Sequence, residues 1–511
     1  MSRRSLPFLA LLPCLVAAPA AEAAAKPYDF NADGRQERVA GIPAMKVEGK
    51  RRAGAVLVID GSSRRVITEA SAGLPGDSYA DSFGAAVASG DFNDDGFADL
   101  AVGSDEWDDA AGVSRGGVTV FYGSTRGLTI AGAVQFQGAP QTAIEDGESY
   151  VSSSGFGSGL AAGDLNSDGA DDLVVGAVNE SPKPDSDTGY GAIHLLFGGP
   201  TGLTRTGERV LKRPRRDDTA FGFALALGDI DRDGHVDIVE GAPGSASSID
   251  FGDIAGHLSY CPGAAAGPTA CRAVSPKQRS NTGGDGRRRE APASIAVGDV
   301  TGDGFPDIVE GVPEDRVNGE DGTAPSGAIL IRRGTKRGPS TRVLRINQAT
   351  RGVPGRSDER DRFGAAVAVG RLNRDRFADI VVGATGENGH YPKNEWASLS
   401  GRVTVLHGGK DGISTHGATA FDRRTPGLPR TTLGFGTSLT LLDINGDHRL
   451  DLTAGSAGLY SNDDDGQAKG SLVTLLGGRR GLTTRKATGI DWTDIGVGPR
   501  TGTGLGSVVG R

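Results

Sequence analysis

Apolar residues along this chain come in short runs of small or β-branched side chains, each closed by Gly, Asp or Asn. "FGAAVASG" from Phe83, "DLAVGS" from Asp99 and "GGVTVFYG" from Gly116 follow one another within one stretch. Runs this short, with β-branched enrichment and turn residues at both ends, predict strands rather than helices. The same order recurs along the chain: a small-residue strand, an acidic loop, an apolar strand ending in Gly, a polar stretch, a third strand, and a less regular fourth near "GLT" or "GIS".

The acidic loops set the period. They begin at Asp29, Asp91, Asp164, Asp229, Asp299, Arg371 and Asp443. Four strands in a unit of about 70 residues, seven times over, predict an all-β seven-bladed β-propeller with four-stranded blades. The first acidic loop has no strand before it, and "TGTGLGSVVGR" at the C-terminus has no loop after it. Joined, they complete one blade, so the C-terminal strand is expected to pair with the N-terminal blade and leave no open edge.

Within a loop such as "DFNDDGFAD", oxygen side chains fall at positions 1, 3, 5 and 9, with Gly at 6 for a sharp turn. Like charges held this close call for a counter-charge, and hard oxygen ligands select a hard cation such as Ca2+. The loop is not an EF-hand, because position 12 is Val102 and strands flank it. The predicted ligands of loop two are Asp91, Asn93, Asp95, the Phe97 carbonyl and Asp99. Loop three offers Asp164, Asn166, Asp168, Ala170 and Asp172, and loop four Asp229, Asp231, Asp233, His235 and Asp237, the seventh position acting through its carbonyl. Loop five has Asp299, Thr301, Asp303, Phe305 and Asp307, with Thr301 a neutral substitute. Loop seven has Asp443, Asn445, Asp447 and Asp451, but His448 in place of the turn Gly. Loop one has Asp29, Asn31, Asp33 and the longer Glu37. Loop six carries Arg371 at position 1 and Arg376 at position 6, so it is expected to be metal-free, a guanidinium pairing Asp375 or Asp379 instead. Four to six calcium sites of structural role follow, the other reading being plain Asx turns.

Residues 1–25 combine Arg3 and Arg4, an apolar core and an Ala-rich end, which reads as a secretory signal peptide of the Sec or Tat type. Residues 26–511 are then one propeller, secreted and monomeric, with no membrane span. A formal net charge of −9 without basic runs argues against nucleic acid as the partner. Cys261 and Cys271, in an oxidising compartment, are read as one local disulfide, two free thiols being the other reading.

The pattern from Phe83-Gly84 through "DFNDDGFADLAVGS", with Phe-Gly again at Phe156, Phe221, Phe363 and Phe435 and "GAP" at Gly241, resembles the FG-GAP repeat of the integrin α-subunit head. That resemblance implies a seven-bladed propeller with calcium in the loops of one face and ligand contacts on the other. The variable second-to-third connections lie on that other face, and their aromatics Trp107, Tyr391, Trp396 and Tyr460 are candidate ligand contacts. The best-supported function is an extracellular binding or adhesion module for a protein or glycan. A carbohydrate-binding lectin is the alternative, and a hydrolase or lyase on a propeller scaffold a third. Scattered histidines and the lack of a G-x-S-x-G or H-E-x-x-H motif favour a non-enzyme.

Overall fold

The computed structural model describes residues 25–510 apart from 75–80, 109–112, 146–147, 182–190, 215–219, 244–256, 275–291, 316–325, 388–399, 430–432, 459–469, 497–504 and 507. Seven four-stranded antiparallel sheets follow one another along the chain. Blade two is typical: Ala86–Gly90, Asp99–Ser104, Gly117–Phe121 and Val134–Gln137 run from the ring's interior to its rim. First strands pack one on the next around the ring, from Ala86–Gly90 to Phe435–Leu442. The ring closes as expected. Val508–Val509 pairs with Arg38–Gly41 of blade one (Ala40 opposite Val509, Gly41 opposite Val508) and also packs against Phe435–Leu442 and Ala86–Gly90.

Position in the ring explains which residues each strand uses. Second strands such as Asp172–Ala177 and Asp379–Ala384 are buried at every residue, because blades cover both faces. Fourth strands such as Thr204–Lys212 face solvent over most of their length, with Leu211 the one buried residue of this strand. Apolar clusters sit between blades rather than within them: one joins Val56 and Ile67 to Val87 and Leu100, another joins Val367 and Ile380 to Val309 and Ile329.

The repeat's glycines mark where blades touch. Phe83, Phe156, Phe221, Phe363 and Phe435 are fully buried, and the Gly after each has φ between 91° and 98°. A Cβ on Gly103 of blade two would lie 2.0 Å from the carbonyl oxygen of Gly157 in blade three. Gly176 and Gly222, Gly311 and Gly364, and Gly383 and Gly436 meet the same way, at 2.0, 2.1 and 2.0 Å. The Phe-Gly of one blade and the Gly ending the second strand of the previous blade are thus two halves of one backbone contact. Gly241 departs from this, meeting Pro292 and Ile295, because blade five begins "APASI" instead of Phe-Gly.

Cys261, at the end of the third strand of blade four, is disulfide-bonded to Cys271, just before the fourth strand, as read from the sequence. A two-stranded hairpin, Gln141–Glu145 with Glu148–Ser152, lies in the link from blade two to blade three and was not anticipated. Its signal was present in the alternation of "QTAIEDGESYVS" around Asp-Gly.

Blade three carries a buried charge cluster. His194 bonds Glu208 on the adjacent strand at 2.7 Å and Glu180 on the second-to-third connection at 2.8 Å. Burial opposes the imidazolium, but hydrogen bonds to the two carboxylates outweigh it and raise the His194 pKa to about 9. Glu208, despite burial, is held below its ordinary range by His194 and Arg205. Because the folded-state pKa of His194 lies above the unfolded one, its contribution is complete below about pH 6.5 and is lost as pH rises through 9. Denaturant midpoints are therefore expected to fall between pH 6.5 and 9.5 by the equivalent of roughly 3 kcal/mol at most. His194→Gln should flatten that profile; an unchanged slope in the variant would assign it to other groups.

Candidate metal loops and the opposite face

The register fixes each acidic loop to one length. Gly90 pairs with Asp99, Gly163 with Asp172, Gly228 with Asp237, Gly298 with Asp307, Gly370 with Asp379 and Leu442 with Asp451. The ninth-position carboxylate thus opens the second strand and is buried in all six. One Asp99 oxygen accepts the Phe92 N–H at 2.9 Å, the other the Gly123 N–H beyond the third strand at 2.8 Å. Asp172 does the same with Leu165 and Gly198, Asp237 with Ile230 and Gly263, and Asp307 with Val300 and Gly334. Glu37 reaches the Phe30 N–H at 2.9 Å, so its longer arm serves the same purpose in loop one.

The first-position carboxylate folds the loop over itself. Asp91 accepts from the N–H groups of Asp95 and Gly96, Asp229 from those of Asp233 and Gly234, and Asp443 from those of Asp447 and His448. His448 takes φ of 61°, the left-handed conformation that the turn Gly adopts elsewhere. Position 4 is left-handed as well, at Ala32, Asp94, Ser167 and Arg232, although none is Gly. Loops also bridge blades: the Asp91 N–H donates to Asp171 at 2.9 Å, and the Asp91 carbonyl accepts from the Asp171 N–H at 2.8 Å.

Collected carboxylates without a counter-charge resist ionisation. Burial first, and neighbouring carboxylates after it, push Asp99 up to about 8, Asp172 to about 7, and Asp237, Asp307 and Asp451 to about 6; Glu37 rises to about 7. In loop four, oxygens of Asp229, Asp231 and Asp237 lie within 4.8 Å of one another. Asn93 Oδ1 in loop two is a buried oxygen with no hydrogen-bond donor among the described residues. Converging hard oxygens, with one left unpartnered, fit a divalent cation.

Loop six is built differently. Arg371 replaces the folding carboxylate, so the Asp375 N–H keeps only the third-position acceptor that loops one, three, four and seven also use, Asn373 Oδ1 at 2.7 Å. Asp379 keeps the N–H groups of Leu372 and Gly408, and its added partner is His407 Nδ1 at 3.2 Å. An imidazole thus sits beside Asp379, where a guanidinium was expected, while Arg376 lies over the Phe377 ring, 5.2 Å from its centroid.

On the opposite face, Trp107 is 1% exposed and packs beside Gly117, so its indole is not a surface contact in this structure. Tyr391, Trp396 and Tyr460 lie outside the described residues. A buried network on this face was not foreseen: Arg402 pairs with Glu387 at 2.7 Å and Asp422 at 3.2 Å, and Glu387 accepts from Gln348. Asp361 beside it is raised to about 8 by burial and by Glu387. Isolated polar residues from two neighbouring repeats gave no sign that they meet.

Comparison with known proteins adds the family. The FG-GAP repeat profile matches residues 83–121, 156–196 and 291–331. Three stretches of the propeller thus carry the FG-GAP repeat, and over part of its length the chain is similar to integrin α-subunits. It is 27% identical to integrin alpha-6 of Gallus gallus over 176 residues, 34% of this chain and 15% of that one. Integrin alpha-IIb of Homo sapiens is 31% identical over 197 residues, 38% of this chain and 17% of that one. Phosphatidylinositol-glycan-specific phospholipase D of Bos taurus is 31% identical over 160 residues, 31% of this chain and 18% of that one. The FG-GAP propeller therefore matches less than a fifth of each of these relatives. Among the described residues, no helix is long and apolar enough to cross a membrane.

Proposed function

We propose that this FG-GAP propeller is a secreted, calcium-stabilised binding module that holds an extracellular protein or glycan on the face opposite its acidic loops. The observation that carries this reading is a contrast between the two faces. The acidic loops share one length and are tied into neighbouring blades, whereas the second-to-third connections, from Ser104–Gly117 to Ala384–Arg402, differ in length and composition. A constant face braces the ring, and a variable face can be shaped to a partner. Calcium at four to six of the Asp-opened loops would neutralise carboxylates that burial and mutual repulsion otherwise push toward the neutral form.

The test is binding of residues 26–511 to arrays of glycans and extracellular matrix proteins in millimolar calcium. Saturable binding that is abolished by replacing residues 388–399 or 459–469 with Gly-Ser, but not by Arg126→Ser on the acidic-loop face, is the expected result. Binding that survives every such replacement would sink the assignment of the face. Turnover of a bound glycan would replace the binding reading with an enzymatic one.

A further inference from the structure

The degenerate sixth loop opens a second site on the other face. A pocket of about 260 Å³ lies between loop six and loop seven, lined by Arg371, Leu372, Asn373, Arg374, Arg449 and their neighbours at Asp447 and His448. Three guanidinium groups face it against one carboxylate, and Arg449 already pairs with that carboxylate, Asp447, at 3.0 Å. Arg371 and Arg374 are exposed and have no ion pair with any described residue. The charge here is inverted relative to a chain of net −9 and to the other six loops, each of which opens with Asp.

The backbone supports the inversion. Arg374 is not left-handed, unlike position 4 of loops one to five and seven, so loop six does not fold around its first side chain. The Arg371 side chain is released from the loop-closing task that Asp performs elsewhere, and it lines the cleft instead. Asn373 and Arg480 form a backbone bridge that holds loop six against the Arg479-Arg480 turn of blade seven. Basic side chains thus continue past the pocket, at Arg376 on one side and Arg479 and Arg480 on the other, all exposed.

We propose that this cleft binds a sulfate or carboxylate group of an acidic glycan. Planar guanidinium forks match such oxyanions in geometry as well as in sign. The pocket holds one anionic group, and the flanking arginines call for a ligand with further charges along its length. Nucleic acid fits less well, because no Phe, Tyr or Trp lines the pocket to stack a base. The site is separate from the ligand face above and does not depend on that reading.

The probe is a sulfated tetrasaccharide titrated into the full chain at fixed millimolar calcium, with inorganic sulfate and a single-stranded oligonucleotide of equal charge in parallel. Saturable tetrasaccharide binding should weaken at least tenfold in Arg371→Ser/Arg374→Ser, whose surface positions leave the unfolding midpoint unchanged. The charge-matched control Lys336→Ser/Arg337→Ser, on another turn, should change it less than twofold. Equal loss in both variants, or none in the first, overturns the site. Inorganic sulfate binding as tightly as the tetrasaccharide, or the oligonucleotide binding more tightly, overturns the glycan assignment.

Discussion

In EGTA, residues 26–511 are expected to unfold about 9 °C below their midpoint in 2 mM calcium, taking each site's Kd as about 10⁻⁴ M, typical of extracellular calcium modules. A free concentration about twenty times Kd stabilises by about 1.8 kcal/mol per site, or about 9 kcal/mol over five sites. Unfolding entropy near 2.1 cal/mol/K per residue amounts to about 1 kcal/mol/K for a chain of this length, which converts the sum to that shift.

Two variants separate the ion from the loop that holds it. Asp95 and Asp168 are exposed, and each accepts one backbone N–H within its own loop, from Phe97 and Ala170, and one amide N–H from the neighbouring Asn93 or Asn166. Asp95→Ala/Asp168→Ala should remove about two-fifths of the calcium-dependent shift while moving the EGTA midpoint little. Asp99 is fully buried and accepts the N–H groups of Phe92 and Gly123. Asp99→Ala should therefore cost about 2–4 kcal/mol with or without calcium, because two buried donors lose their acceptor. Identical midpoints in calcium and EGTA for the unaltered chain would reduce the acidic loops to plain turns.

The features legible in the sequence are those that repeat in register. Strand order, ring closure, the loop-six departure and the Cys261–Cys271 bond all follow from local spacing or from comparing one repeat with the next. What stayed hidden depends on contacts between repeats or on backbone conformation. His407 reaches Asp379 from the end of the third strand, and the left-handed Asp94 and Arg232 carry no compositional mark of their turn. Trp107 illustrates a further limit. A rare aromatic on a variable connection suggests recognition, yet the backbone bonds from Arg115 and Gly116 to its carbonyl fold that connection back, and its side chain is buried beside Gly117. The arginine cleft was half visible: Arg371 and Arg376 stand out against the repeat, but Arg449 joins them only because blade seven packs beside blade six.

The Gly103→Ala substitution is expected to destabilise the chain by more than about 3 kcal/mol, the range of severe core changes, and Gly103→Val to prevent recovery of folded protein. The added Cβ would stand 2.0 Å from the Gly157 carbonyl oxygen, and the obstructing atoms are backbone, so no side-chain rotation relieves it. Blades two and three would have to separate, opening the cluster in which Phe156 packs against Val118 and Val120. Gly127→Ala is the matched control: φ there is 82°, yet nothing lies within 4 Å of the added atom. Its cost is the conformational one alone, about 1 kcal/mol. Denaturant midpoints of the two alanine variants decide the matter. A large gap makes the glycine-to-glycine contact the joint on which the ring is assembled, whereas equal small losses would mean that the blades can slide apart and that the repeat's Phe-Gly is retained for its Phe.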